Sequence, residues 1–176
     1  MEWNELLQKR RSCRSYSEGQ SMEPETMEEI LTEVLYAPSW CNYEGSRSYV
    51  AVSPEKKQAV LAALPDFNRK NSENAAAFIV TAYKKGLSGF INGKTDALGN
   101  QWGAYDLGLH DAYLVLSLRD RGYDSLIMGL RDDARLREIF AIPEDEVIMS
   151  VIAAGKHAAE PGFRPRKTLQ ETAKIQ

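Results

Sequence analysis

Three arginines fall within five residues near the start of the chain, in Arg10-Arg11-Ser12-Cys13-Arg14. A guanidinium is a planar fork of N–H donors that grips a phosphate or carboxylate through two parallel, charge-assisted hydrogen bonds. Ser12 adds a neutral donor between them. A second cationic pair, Arg164 and Arg166, sits near the other end of the chain on a proline-containing tail. On a background of net charge -3, these two groups define a candidate anion site. The competing reading is a solvated helix end, because Trp3 to Lys9 has a helical pattern and arginine favours a helix C-terminus.

A third group lies at Ala37-Pro38-Ser39-Trp40-Cys41-Asn42. Here a helix stops and leaves backbone groups, a flat aromatic and an amide, a combination that can hydrogen-bond the edge of a planar heterocycle. It also suits an ordinary connection between a helix and a strand. Other chemistries find little support. His110 and His157 are the only histidines, and neither has a ligand partner at i+4, so no metal site is expected. His110 lies inside an apolar helix and reads as a core or interface residue, not as the base of a nucleophilic dyad. No Walker loop and no GxGxxG after a strand is present, so any anion must be held by side chains. Cys13 and Cys41 are the only cysteines and form no CxxC pair, which reads as two reduced structural thiols.

The elements that must carry these groups follow from periodicity. Pro24 opens a helix in which Met27, Ile30, Leu31 and Val34 share one face, and Pro38 closes it. Arg47 to Ser53 and Phe78 to Tyr83 read as short apolar strands. Pro54 to Leu64 reads as a helix between them. The Gly-, Ser- and Asn-rich stretch from Lys84 to Trp102 reads as a loop or lid. Ala104 to Arg121 reads as a long helix with almost no polar face, which in so short a chain points to a subunit interface. A strand over Ser125 to Met128, a helix from Asp132 or Asp133 to Phe140, and a strand over Val147 to Ala154 complete the set. The last of these is a near-continuous apolar run, as expected for a strand covered on both faces. Residues 156–176 hold Pro161 and Pro165 and few large apolar groups, so they either move freely or lie across another surface.

At 176 residues, 43% apolar and 27% charged, the chain suits a single domain of ordinary globular composition. Its acidic balance, 22 Lys and Arg against 25 Asp and Glu, argues against a nucleic-acid partner. No run approaches the roughly 20 apolar residues that cross a bilayer. The opening residues lack the pattern of a secretion signal, so a cytoplasmic protein is expected.

Taken in order, these segments resemble the nitroreductase family of flavoenzymes. Arg10-Arg11-Ser12-Cys13-Arg14 is similar to that family's opening RRSxR motif for flavin mononucleotide (FMN), and Ala37-Pro38-Ser39-Trp40-Cys41-Asn42 to its APSxxN turn. Gly122 to Gly129 is similar to GLxSxxxG, Ile142-Pro143-Glu144 with Val151 to Gly155 to the run before the last strand, and Arg164 to Glu171 to the closing basic motif. The resemblance covers nearly the whole chain. It implies an α+β fold with a central, mostly antiparallel sheet flanked by helices, and a homodimer whose C-terminal tails, residues 156–176, are exchanged. It implies FMN at the interface, with Arg10, Ser12, Arg14, Arg164 and Arg166 on its phosphate and ribityl chain. Arg11 would face the ring or form a structural ion pair. Pro38, Ser39 and Asn42 would approach from the other subunit, and Met128 and Gly129 would lie against the reactive ring nitrogen.

The implied activity is hydride transfer from NADH or NADPH through FMN to an electron-poor acceptor such as a nitroaromatic or quinone, with ping-pong kinetics. No side chain is expected to be catalytic in its own right, since the cofactor carries the hard chemistry. The alternatives are a flavin-binding or regulatory protein without efficient turnover, and a flavin-dependent dehalogenase or dehydrogenase on the same scaffold. One departure stands out. Glu44-Gly45-Ser46 replaces the family's Gln-Pro-Trp, and a carboxylate at Glu44 would disfavour an anionic reduced flavin.

Overall fold

The computed structural model describes residues Met1–Gln176, the whole of the sequence. After α1 (Trp3–Lys9) and α2 (Pro24–Val34), the chain enters β1 (Ser46–Ala51), α3 (Pro54–Ala62), α4 (Asp66–Ser72) and β2 (Ala77–Lys84). A two-stranded excursion, β3 (Phe90–Ile91) and β4 (Lys94–Thr95), leads into the long α5 (Gln101–Asp120). Then follow β5 (Asp124–Met128), α6 (Asp133–Phe140), β6 (Glu146–Gly155) and a single turn, α7 (Leu169–Thr172). The main sheet has the order β1-β2-β6-β5 with every pairing antiparallel. This is the α+β architecture expected.

Alternation along β2 builds two cores. Successive side chains of a strand point to opposite faces. Phe78, Val80 and Ala82 therefore meet Val60 and Leu61 of α3 and Leu136 of α6 on one side. Ala77 and Ile79 meet Ile30 and Val34 of α2 and Leu114 and Leu118 of α5 on the other. Phe78, Ile79, Val151 and Ile152 are wholly buried, each contributing about 1.5–3 kcal/mol relative to exposure. With helices on both sides, β6 is buried from Ser150 to Gly155, which accounts for its nearly continuous apolar run; Met149 alone is exposed.

Three elements differ from the sequence expectation. Pro65 ends the helical run before it but also serves as N-cap of α4, so one proline separates two helices. Within the expected loop, Asn92 and Gly93 both take positive φ and close the β3–β4 hairpin, the type of turn for which Asn-Gly is suited. α5 begins at Gln101, inside the stretch read as loop. Its inner side packs on the sheet, whereas Tyr105 and Tyr113 remain 61% and 40% exposed on its outer side. No helix is long and apolar enough to cross a membrane.

Candidate flavin site

α1 ends at Arg10, whose backbone N–H donates to Leu6 O at 3.0 Å. The chain then runs alongside β5: Ser12 bridges Ser125 in parallel, and Cys13 N–H donates to Ser125 O at 2.9 Å. Cys13 is fully buried. By the two-residue period of extended chain, its inward side chain turns Ser12 and Arg14 outward together. Burial pushes the Cys13 thiol up, and Tyr16, also buried, is raised strongly for the same reason. Tyr16 bridges His157, and Ala158 N–H donates to Ser15 O at 2.9 Å, so the root of the tail is bound to this same segment.

The tail then returns to the arginines. The Phe163 ring lies 5.0 Å from the Arg11 guanidinium, a cation–π contact, and Arg11 also donates to Arg10 O at 2.8 Å. Arg11 is thus turned toward the tail, and in place of an ion pair it has an aromatic ring. Burial, followed by the positive charges of Arg166 and Arg11, pushes the Arg10 guanidinium below arginine's ordinary range. Arg166 in turn donates weakly to the carbonyl of Arg164, which is exposed. None of Arg10, Arg11, Arg14, Arg164 or Arg166 has a carboxylate in ion-pair range, whereas Arg47, Arg69, Arg119, Arg121, Arg131 and Arg135 each have at least one, and Arg137 is held by the carbonyls of Ile142, Pro143 and Glu146. Like charges gathered without counter-charge are the electrostatic signature of an anion site.

Beside Arg14 opens a cavity of about 230 Å³ that Lys70, Asn71, Asn74 and one acid, Glu73, also line. Asn71 Nδ2 is buried with no hydrogen-bond partner, a state that costs about 1–3 kcal/mol and is relieved by an acceptor. One turn earlier on α4, Asn68 donates to Leu130 O at 2.9 Å and ties this helix to the end of β5. Met128 is buried there, and a side chain built at Gly129 would meet only open space. Lys70, Asn71 and Asn74 went unnoticed in the sequence. Their polar run directly after Pro65 was the available signal.

The Ala37–Asn42 turn is a strained one. Cys41, Asn42 and Glu44 all have φ near +50°, left-handed backbone that costs a non-glycine residue roughly 1–2 kcal/mol. Asp106, buried at 3% exposure, holds it by accepting from Trp40 N–H with both oxygens at 3.0 Å. Trp40 packs at a tilt against Trp102, 4.6 Å between centroids. Glu44 closes the turn: its N–H donates to Ser39 Oγ and its carboxylate accepts from Asn42 Nδ2, both at 3.0 Å. A carboxylate can only accept, so this contact fixes the Asn42 amide with its nitrogen toward Glu44 and its oxygen available elsewhere. Pro38 and Ser39 line a further cavity of about 290 Å³ with Ser48 and His110.

The structure brings Arg10, Ser12, Arg14 and Arg166 to one region and leaves Pro38, Ser39 and Asn42 in another. The first group lies alongside the β5 edge of the sheet and the second leads into β1 at the opposite edge, four strand spacings or about 19 Å away.

Known proteins share this fold. YdgI of Bacillus subtilis (strain 168), provisionally named an NAD(P)H nitroreductase, is 26% identical over 195 aligned residues, covering 90% of each chain. A nitroreductase-type protein from Exiguobacterium sibiricum 255-15, solved in complex with FMN, superposes with a TM-score of 0.89 over 100% of this chain and 98% of its own, at 21% identity. An enone reductase of gut-bacterial fatty acid saturation, CLA-ER, superposes with a TM-score of 0.83 over 99% of this chain and 97% of its own, at 20% identity. At such identities the two solved structures speak for the fold. The model of the nitroreductase family matches residues 7–156, and with so much of the chain covered the protein belongs to that family.

Proposed function

We propose that this single-domain chain is an FMN-dependent NAD(P)H oxidoreductase, working as a homodimer in the cytoplasm. The observation that carries the reading is the set of arginines without carboxylate partners, drawn together from both ends of the chain. A terminal phosphate supplies the charge they lack. In this reading Arg10, Ser12, Arg14, Arg164 and Arg166 hold the phosphate and ribityl chain. Arg11 positions the tail through Phe163. The orphaned amide of Asn71 donates to the flavin, and the open space at Gly129, next to Met128, admits the flat ring.

Pro38, Ser39 and Asn42 come from the second protomer, because their own chain carries them at the wrong sheet edge. The free oxygen of Asn42 then accepts from a ring N–H. Dimerisation also covers the aromatic outer side of α5, and the exposed tail wraps the partner. The FMN bound by the Exiguobacterium sibiricum protein and the NAD(P)H in the name of YdgI support the choice of cofactor and reductant.

When bound, FMN supplies hydride chemistry between nicotinamide and an electron-poor acceptor such as a nitroaromatic or quinone. The protein supplies grip, orientation and electrostatics. Reductant and acceptor take turns in one place, so reciprocal plots are expected to be parallel. The test is direct: purified protein is yellow, and NADH or NADPH bleaches its visible band without oxygen. A yellow protein that neither nucleotide bleaches would be a flavin carrier, and intersecting plots would contradict the shared place.

A further inference from the structure

Three hydroxyls form a row on the α5 face of the sheet. Ser48 of β1 lies opposite Thr81 of β2, and Thr81 lies opposite Ser150 of β6. Two consecutive residues of α5 dock on this row. Asp111, buried, accepts from Thr81 at 3.1 Å with one oxygen, and Ser150 Oγ lies 2.9 Å from Thr81 Oγ1. The other oxygen of Asp111 lies 3.0 Å from His110 Nδ1, and His110 Nε2 lies 3.3 Å from Ser48 Oγ. A carboxylate only accepts, so the proton sits on Nδ1 and Nε2 offers its lone pair to the serine hydroxyl. Serine, imidazole and carboxylate thus stand in the order of an acyl-transfer triad, which is recognised by geometry and not by sequence position.

Ser48 and His110 open onto the 290 Å³ cavity at the end of α2. The charged side chains around them are already engaged. Asp106 holds Trp40 N–H, Glu44 accepts from Asn42, and the Arg47 guanidinium donates to the carbonyls of Glu44 and Ser46. Opposite, Leu31, Val34 and Leu35 of α2 form an apolar wall, and an apolar slot with a few convergent polar groups suits a small molecule. The backbone adds a donor. β1 is an edge strand, and Lys84 N–H donates to Gly45 O, so by the alternation of an antiparallel ladder Ser48 N–H points away from β2 to the open edge.

We propose that this cavity hydrolyses esters of short aliphatic acids, with Ser48 as nucleophile and His110 as base, positioned by Asp111. Ser48 Oγ bonds to the ester carbonyl carbon while its proton passes to His110 Nε2, and Ser48 N–H donates to the oxygen that gains the charge. The bond from carbon to the alkoxy oxygen then breaks, and His110 returns the proton to the departing alcohol. Water, activated by the same imidazole, releases the carboxylic acid from Ser48. The apolar wall from α2 receives the acyl chain, and the size of the cavity keeps that chain short. The reaction needs neither flavin nor nucleotide.

Two measurements test this. In the first, the purified protein, with no nucleotide added, is treated with diisopropyl fluorophosphate, which phosphorylates an activated serine with loss of fluoride. Mass spectrometry then maps the modified peptide. The proposal expects the label on Ser48; no label, or a label only elsewhere, overturns it. In the second, the exposed Cys41 is blocked with iodoacetamide and hydrolysis of p-nitrophenyl butyrate is followed by release of nitrophenolate. Loss of a general base costs about a hundredfold or more, so kcat/KM and the labelling rate at Ser48 fall by that order in His110→Gln and in Asp111→Asn. Circular dichroism checks that both variants fold, and rates unchanged in either one overturn the proposal. A colourless protein that is still labelled on Ser48 would defeat the flavin reading and leave this one standing.

Discussion

Arg119 and Arg10 are the same residue put to opposite uses. Arg119 donates to Asp124 at 2.8 Å, and Asp124, only 2% exposed, also meets His157 Nδ1 at 2.6 Å. This network closes on itself, joining α5, β5 and the root of the tail. Arg10, at the meeting of N-terminal segment and tail, has two arginines and no acid. One region spends its charge on holding the chain together, and the other leaves its charge without a counter-charge, as the proposed phosphate site requires. The contrast teaches that a carboxylate partner marks an arginine as structural here, whereas the lack of one does not by itself mark a site. Arg137 has no acid either and donates to the carbonyls of Ile142, Pro143 and Glu146, while Arg10 has neither acid nor carbonyl and sits among like charges.

The sharpest break of that contrast is Asp124→Ala, which strands Arg119 without its partner. Removing one member of a buried pair costs about 3–5 kcal/mol. For a domain of this size each kcal/mol moves Tm by roughly 2–4 °C, so thermal unfolding should shift down by about 6–20 °C. Arg10→Ala should do the reverse. Its charge is disfavoured in the folded chain, so Tm without ligand holds or rises slightly. FMN binding weakens by about one to two decades, from the loss of a charge-assisted hydrogen bond worth roughly 1.5–3 kcal/mol. Calorimetry and fluorescence titration read the two effects separately. Asp106→Ala sits between the extremes. It frees Trp40 N–H and relaxes the turn, lowering stability by about 1–3 kcal/mol in urea unfolding.

A smaller effect is set by pH. Burial raises the Cys13 thiol, so the unfolded chain releases that proton at a lower pH than the folded one. Stability is therefore complete below the free thiol value of about 8.5 and declines as pH rises toward the folded value. Tyr16, raised likewise, extends the decline above about pH 10. Cys13→Ala should remove the first part of the alkaline slope in denaturant midpoints and leave the second. Glu44→Gln is the mildest change. It keeps a group able to hydrogen-bond Asn42 but removes a negative charge beside the proposed flavin, so the bound cofactor's reduction potential should rise. An unchanged potential would mean that Glu44 acts only in the turn.

Much of this was legible in the residues. The apolar run Phe78 to Tyr83 marked a strand, and the period of three to four in Met27 to Val34 assigned the buried face of its helix, because burial there depends on local pattern. α4 escaped because its residues, Asp66 to Ser72, are largely polar and carry no apolar stripe. Asn71 escaped with it, since an unsatisfied amide becomes visible only once neighbours are placed. His110 was read as a passive helix residue. Its partners Ser48 and Asp111 meet it through the docking of α5 on β1, which no spacing along the chain reveals. Arg11 was set apart from Arg10 and Arg14 by the resemblance, but its partner, the Phe163 ring, is far away along the chain and could not be read from it.

The most direct test compares FMN with riboflavin, which has the same ring and no phosphate, on the wild-type protein and on the double variant Arg10→Ala/Arg166→Ala. If the unpaired arginines exist to hold a phosphate, the wild type binds FMN at least a hundredfold more tightly than riboflavin, and the double variant loses most of that preference. Equal affinity of the wild type for both would contradict the account.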